Sequence, residues 1–169
     1  YLSTALAQSR KVGRLAQELF ELARLEYGGI RLEKERFQLT DLIQDVFQKF
    51  ELAAQDKRVQ LVADLPESLP SVEADVGMME RVLTNLLDNA LRHSPEQGRV
   101  KVSVATSTGQ VTVTVEDEGE GIAPERRNDL FNRPSVLSGQ SPAQRGGLGL
   151  LIVQKIVQLH DGVIEFIDQ

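Results

Sequence analysis

The chain has 169 residues, and 19 Lys+Arg against 25 Asp+Glu leave a formal net charge of −6. That length suits one domain with a real core. The absence of Cys excludes a disulfide framework, Cys-ligated zinc and a thiol nucleophile, and the acidic balance argues against a nucleic-acid partner, which calls for a basic stripe. No window approaches the roughly 18 apolar residues of a bilayer span, and no basic-then-apolar leader opens the chain, so composition reads as soluble, reducing and intracellular.

Residues 3–27 read as one long amphipathic helix. Val12, Leu15, Ala16, Leu19, Leu22, Ala23 and Leu25 recur at spacings of three and four, with Arg10, Arg14, Glu18 and Glu21 on the other side. Gly28-Gly29 supplies the stop. Such a seam needs a partner, either the core of the same domain or a second helix of coiled-coil type. Thr40 is expected to cap a helix over 41–56, whose buried stripe is Leu42, Ile43, Val46, Phe47 and Phe50. Val59 to Leu65 alternates and then meets Pro66, which predicts a strand and a turn.

A helix over 76–92 follows. Two alternating runs, Val100/Val102/Val104 and Val111/Val113/Val115, are separated by Ser107-Thr108-Gly109 and predict an antiparallel hairpin. Residues 132–146, rich in Ser, Gly, Pro and Gln, predict a long loop. A last helix is expected over 148–160, closed by Gly162, with a short strand from Val163 to Phe166 after it. Helices mixed with antiparallel strands predict an α/β fold in which helices stack on one face of a mixed sheet. Beginning inside a helical pattern and stopping at a short strand, the chain reads as a piece of something longer, its C-terminal strand missing.

Three elements carry chemistry. On the helix over 76–92, an advance of 100° per residue gathers Met79, Val82, Leu83, Leu86 and Ala90 on one face and Arg81, Asn85, Asp88, Asn89 and Arg92 on the other. A polar face is commonly just a solvated one, but Asn favours caps and turns over helix interiors. Paired amides beside Arg suit an oxygen-rich ligand carrying a hard cation, such as Mg-phosphate. The second element is Glu116-Asp117-Glu118-Gly119-Glu120-Gly121-Ile122 at a strand end. It reads either as an acidic turn or as a carboxylate that accepts from an exocyclic amine, with glycines that let backbone approach a flat base. A calcium loop is excluded, because Asn128 stands where its closing Glu belongs.

The third element, Arg145-Gly146-Gly147-Leu148-Gly149-Leu150, opens the last helix. It is either a flexible hinge or a set of first-turn amides offered to phosphate. It is no P-loop, since no Gly-Lys-Ser/Thr follows, and no dinucleotide fingerprint, since Ile152 stands at the third Gly position.

In this order the three elements resemble the ATP-binding domain of sensor histidine kinases, a family that shares its fold with gyrase, the Hsp90 chaperones and MutL. Asn85-Leu86-Leu87-Asp88-Asn89-Ala90 looks like the N box, Asp117-Glu118-Gly119-Glu120-Gly121-Ile122 like the G1 box and Gly147-Leu148-Gly149-Leu150 like the G2 box. Leu130-Phe131-Asn132-Arg133 is a partial match to the F box. Residues 14–28 are similar to the second helix of the dimerisation and phosphotransfer hairpin, which separates histidine kinases from the other members, including an ATPase or anti-sigma-type kinase of the same fold.

The resemblance implies a two-layer sandwich of helices on a mixed, mostly antiparallel sheet, the Bergerat ATP-binding fold, preceded by one long helix. It divides the chain into 1–28, part of the hairpin, and 29–169, the catalytic ATP-binding domain. By position, Asn89 would ligate Mg²⁺ with Asn85 beside it, Arg92 would contact phosphate, and His93 would stack by the nucleotide. Asp117 would take the adenine amino group, with Gly119, Gly121 and Ile122 around the ring. Arg133, Arg145, Gly147, Leu148, Gly149 and Leu150 would complete the site, with 132–146 as a lid. Catalysis in this class is positioning and charge neutralisation, so no general base is expected.

The implied partners are ATP or ADP, a second copy through the hairpin, and a response-regulator receiver domain. The implied location is the cytoplasm, with a parent anchored in the inner membrane. Three departures stand out. Arg145 replaces the first Gly of the G2 pattern, Pro134 stands where the F box has a second Phe, and neither His93 nor His160 has the context of a phosphoacceptor. His160 reads instead as a helix-end residue favoured by the dipole. The expected function is transfer of the γ-phosphoryl of Mg-ATP to a His on a helix absent from this chain. The alternative is a degenerate nucleotide-sensing or protein-binding module of the same fold.

Overall fold

The structure, a computed structural model, describes residues 1–127 and 148–167. The expectations placed on 132–146, and on Arg133, Pro134, Arg145 and Gly147, lie outside the described residues. The chain forms two compact units, one of Leu32–Ile122 and one of Tyr1–Arg31 with Ala123–Gln169.

The unit of residues 32–122 runs β1 (Lys34–Phe37), α2 (Leu39–Lys57), β2 (Gln60–Asp64), β3 (Val72–Asp75), α3 (Val76–His93), β4 (Arg99–Ser107) and β5 (Gln110–Asp117), following α1 (Leu2–Tyr27) of the other unit. β4 lies between β2, parallel with Leu61 opposite Val100, and β5, antiparallel with Val102 opposite Val115. The hairpin turns on Thr108-Gly109, with φ of 40° and 78°. Two successive left-handed residues match the right-handed twist of the flanking strands. Val100, Val102 and Val104 are buried while Lys101 and Ser103 are only half-buried, so β4 shows the expected period of two.

Ile43 and Val46 of α2 and Leu83 and Leu87 of α3 meet Val100 and Val102 in one core. Each fully buried large aliphatic contributes roughly 1.5–3 kcal/mol. These helices over a mixed sheet form the expected α/β architecture.

β1 and β3 escaped the sequence reading. They form a separate antiparallel pair, Lys34 opposite Asp75 and Phe37 opposite Val72. Four residues with three charges among them show no alternation, and only the pairing makes them strands. Thr40 is not the cap of α2. Gln38 holds the extended N-cap position with no side-chain cap bond, and winding begins at Leu39, which is itself buried in the core.

α2 ends on Arg58 in the left-handed region (φ 59°), with Arg58 N–H donating to Gln55 O and Val59 N–H to Ala54 O. This is a Schellman closure made without glycine.

In the other unit, α1 packs against the last helix, α4 (Gly149–Leu159). Leu22 is buried and Leu15, Glu18 and Leu25 half-buried, while Leu6, Val12, Leu19 and Phe20 stay exposed. Lys155 of α4 pairs with Glu26 of α1 at 3.5 Å. Gly28 N–H still donates to Arg24 O, and Gly29 takes φ +58°, so the two glycines do stop the helix.

α4 closes differently from expectation. Asp161, not Gly162, takes the left-handed position (φ 58°), and Gly162 N–H donates to Val157 O at 2.9 Å. Residues 162–167 form no strand, and Val163 is exposed. No helix among the described residues is long and apolar enough to cross a membrane.

Candidate functional site

α3 begins on Asp75, whose Oδ1 accepts from Met78 N–H at 3.2 Å and whose Oδ2 accepts from Glu33 N–H at 3.1 Å. One carboxylate thus caps the helix and ties down the segment entering β1. From there the helical period buries Val82, Leu83, Leu87, Ala90 and Leu91 and leaves Asn85 and Asn89 half-buried one turn apart on a common face. Asp88 and Arg92 are exposed and pair with each other at 3.4 Å.

The C-terminal end of α3 is where the site is assembled. A helix leaves its last four carbonyls without intrahelical partners, and here three of them accept hydrogen bonds. Ala90 O accepts from Ser94 N–H at 2.9 Å. Leu91 O and Arg92 O both accept from the Lys57 ammonium, the latter at 2.9 Å. His93 O lies against Gly119, where a Cβ would stand 2.6 Å from that oxygen.

Gly119 belongs to the turn that leaves β5. Its N–H donates to Asp117 Oδ1 at 2.8 Å, which orients the half-buried carboxylate at the strand's last residue. An added Cβ would also stand 2.8 Å from that same oxygen, so only glycine allows this approach. Gly121 takes φ +75°, a second position that favours glycine. Glu118 turns outward to Arg99 at 3.5 Å.

The structure therefore brings Asn89, His93, Asp117 and Gly119 into one neighbourhood, with His93 exposed and Ile122 half-buried. Arg92 instead lines, with Phe50, Ala53, Lys57, Asp88 and Leu91, a groove of about 190 Å³ beside the same helix end. Leu148, Gly149 and Leu150 sit at the start of α4 in the other unit. The side chains of both leucines are buried, and Ile152 N–H donates to Leu148 O at 3.0 Å.

Among the described residues no three His, Cys, Asp or Glu side chains gather as a metal site. The amide oxygens of Asn85 and Asn89 are hard donors suited to a cation that brings most of its oxygen ligands with it.

Sequence reasoning missed Lys57 and Ser94. The Ser94 hydroxyl is buried without a protein partner. Lys57 carries no local signal, because the helix end it serves lies 34 residues further along the chain.

Residues 74–169 match the family described as histidine kinase-, DNA gyrase B-, and HSP90-like ATPase. The adaptive-response sensory kinase SasA of Synechococcus sp. (strain JA-2-3B'a(2-13)) is 35% identical over 161 residues, which are 95% of this chain and 43% of SasA. The chain spans less than half the length of the SasA relatives it matches. The histidine kinase AdeS of Acinetobacter baumannii superposes with a TM-score of 0.75 at 30% identity, covering 93% of this chain and 72% of AdeS. Full-length ShkA, solved in complex with AMPPNP, superposes at 0.78 with 28% identity, covering 92% of this chain and 32% of ShkA.

Proposed function

Because the chain belongs to the histidine kinase-, DNA gyrase B- and HSP90-like ATPase family, we propose that it is the ATP-binding catalytic part of a two-component sensor histidine kinase. In this reading residues 1–28 contribute a helix of the dimerisation hairpin and 29–169 form the catalytic domain. The chain transfers the γ-phosphoryl of Mg-ATP to a histidine on another segment of the parent protein. A response-regulator receiver takes it from there, and the reaction is cytoplasmic.

The observation that carries the reading is the seat of Gly119 on His93 O, which joins the Asp117 turn to the end of the helix bearing Asn85 and Asn89. Asp117, held by the Gly119 N–H, accepts the adenine amino group, with Gly119 and Gly121 beside the ring, the latter with open space about its Cα. His93, exposed at the helix end, stacks beside it. Asn89, with Asn85 a turn before it, would hold Mg²⁺, whose charge when bound neutralises phosphate oxygens. Arg92 adds a cation for phosphate. The Gly147-Leu148-Gly149-Leu150 motif would offer main-chain amides to phosphate.

The test is calorimetric titration of Mg-ATP into this chain and into Asp117→Asn and Asn89→Ala. Wild-type affinity at or below the millimolar range is expected, weakened at least tenfold in Asp117→Asn by loss of a hydrogen bond to a charged group and in Asn89→Ala by loss of a Mg²⁺ ligand. No binding by the wild type at millimolar nucleotide overturns the reading. Adding a protein that supplies the acceptor hairpin should yield acid-labile phosphohistidine in trans.

A further inference from the structure

We propose that Lys57 is a positioning residue for the nucleotide site, acting through the last turn of α3; this rests on the reading of that site given above. Lys57 is the final residue of α2, 31 residues before Asp88 in sequence. Its half-buried ammonium donates to both Leu91 O and Arg92 O, two carbonyls that the helix cannot satisfy itself. The α2 closure fixes where this ammonium can reach. Arg58 reverses the chain in the left-handed region, and the buried Val59 bonds back to Ala54, so the stem of Lys57 is directed across α3.

The two carbonyls held by Lys57 lie directly between Asn89 and the His93–Gly119 contact. Asn89 precedes them by two residues, and His93, whose carbonyl seats Gly119, follows at once. Without the clamp, Leu91 O and Arg92 O lose charge-assisted bonds at a helix end that also favours a cation electrostatically. The terminal turn then frays. That displaces the side chains of Arg92 and His93, and with the movement of His93 O the turn that orients Asp117. Lys57 touches neither nucleotide nor metal. Its contribution is the placement of groups that do.

A merely structural lysine and a positioning lysine are separated by comparing two ends of one helix. Lys57→Met keeps the apolar stem and removes the donors at the C-terminal end of α3, whereas Asp75→Ala removes the cap at its N-terminal end. Both variants should lower Tm. Mg-ADP titration well below either Tm should then show Lys57→Met weakened about tenfold, the scale of a lost charge-assisted bond. Asp75→Ala should stay within twofold of wild type, and Lys57→Arg, which restores donors, should recover most of the affinity. In amide-exchange measurements the N–H of Ser94 should lose protection in Lys57→Met and keep it in Asp75→Ala.

Lys57→Met binding Mg-ADP within twofold of a competent wild type overturns the assignment. So does an equal loss of affinity in both variants. A wild type that binds no nucleotide overturns the reading of the site and the role of Lys57 together, so the two failures are told apart by the wild-type titration.

Discussion

Replacing Gly119 by Ala puts a methyl group where the structure has two oxygens. The new Cβ would lie 2.6 Å from His93 O and 2.8 Å from Asp117 Oδ1, both well inside the 3.4 Å at which ordinary contact begins. His93 O is the last carbonyl of α3, and its neighbours Leu91 O and Arg92 O are held by Lys57, so the helix end cannot simply slide away. Overpacking of this kind costs about 1–3 kcal/mol, and for a chain of this size that lowers Tm by roughly 2–12 °C.

The second collision falls on the carboxylate that the Gly119 N–H orients. In the proposed role of Asp117, turning it away should remove a hydrogen bond from the nucleotide to a charged group, about 1.5–3 kcal/mol, or roughly 10–150-fold in affinity for adenine nucleotide. Gly109→Ala is the control. It sits at φ +78° in the hairpin turn with nothing within 4 Å of an added Cβ, so it should cost about 1 kcal/mol of stability from backbone strain alone and leave binding unchanged. Thermal denaturation and calorimetric Mg-ADP titration of the three proteins decide the matter. A Gly119→Ala protein within 1 °C and twofold of wild type would refute the reasoning.

Arg58→Gly removes a left-handed non-glycine residue, a gain of about 1 kcal/mol. It gives up an exposed pair with Glu96 at 3.2 Å whose contribution is about 0–1 kcal/mol. A net rise in the denaturant midpoint is therefore expected, and a clear fall contradicts the balance. Asp75→Ala should cost about 1–2 kcal/mol, since it strips one helix cap and one bond to Glu33; unchanged stability would mean the cap is inert. The exposed Leu6 and Phe20 on α1, if they form half of a dimer seam, predict concentration-dependent self-association in sedimentation equilibrium, abolished by Phe20→Glu. A strict monomer across the accessible concentration range contradicts that seam.

The hairpin of β4 and β5 and the body of α3 were legible because their signals are local. Alternating valines flank a two-residue turn, and apolar residues recur at helical spacing before a polar face that holds Asn85 and Asn89. The start of α2 was misread at Thr40 because burial of Leu39, a tertiary event, outweighed the capping preference of a hydroxyl. The closure of α4 was misplaced by one residue because Asp161 tolerates the left-handed region and left Gly162 to make the bond to Val157 O. β1 was invisible because the charged Lys34–Phe37 has no pattern of its own, and it becomes a strand only when Val72–Asp75 lies alongside.

For the candidate site the division follows the same physics. Residue type and spacing alone determined which side chains could serve a nucleotide. A spacing of four residues, about one helical turn, puts the two asparagines on one face, and an Asp followed by two alternating glycines makes an approachable turn, whatever surrounds them. Which of these groups meet was decided by the fold. The seat of Gly119 on His93 O and the clamp of Lys57 on Leu91 O and Arg92 O join segments tens of residues apart, through main-chain oxygens that are identical at every position in the sequence. Contacts made by groups common to all residues leave no mark in the order of side chains, so only the tertiary structure could assign them.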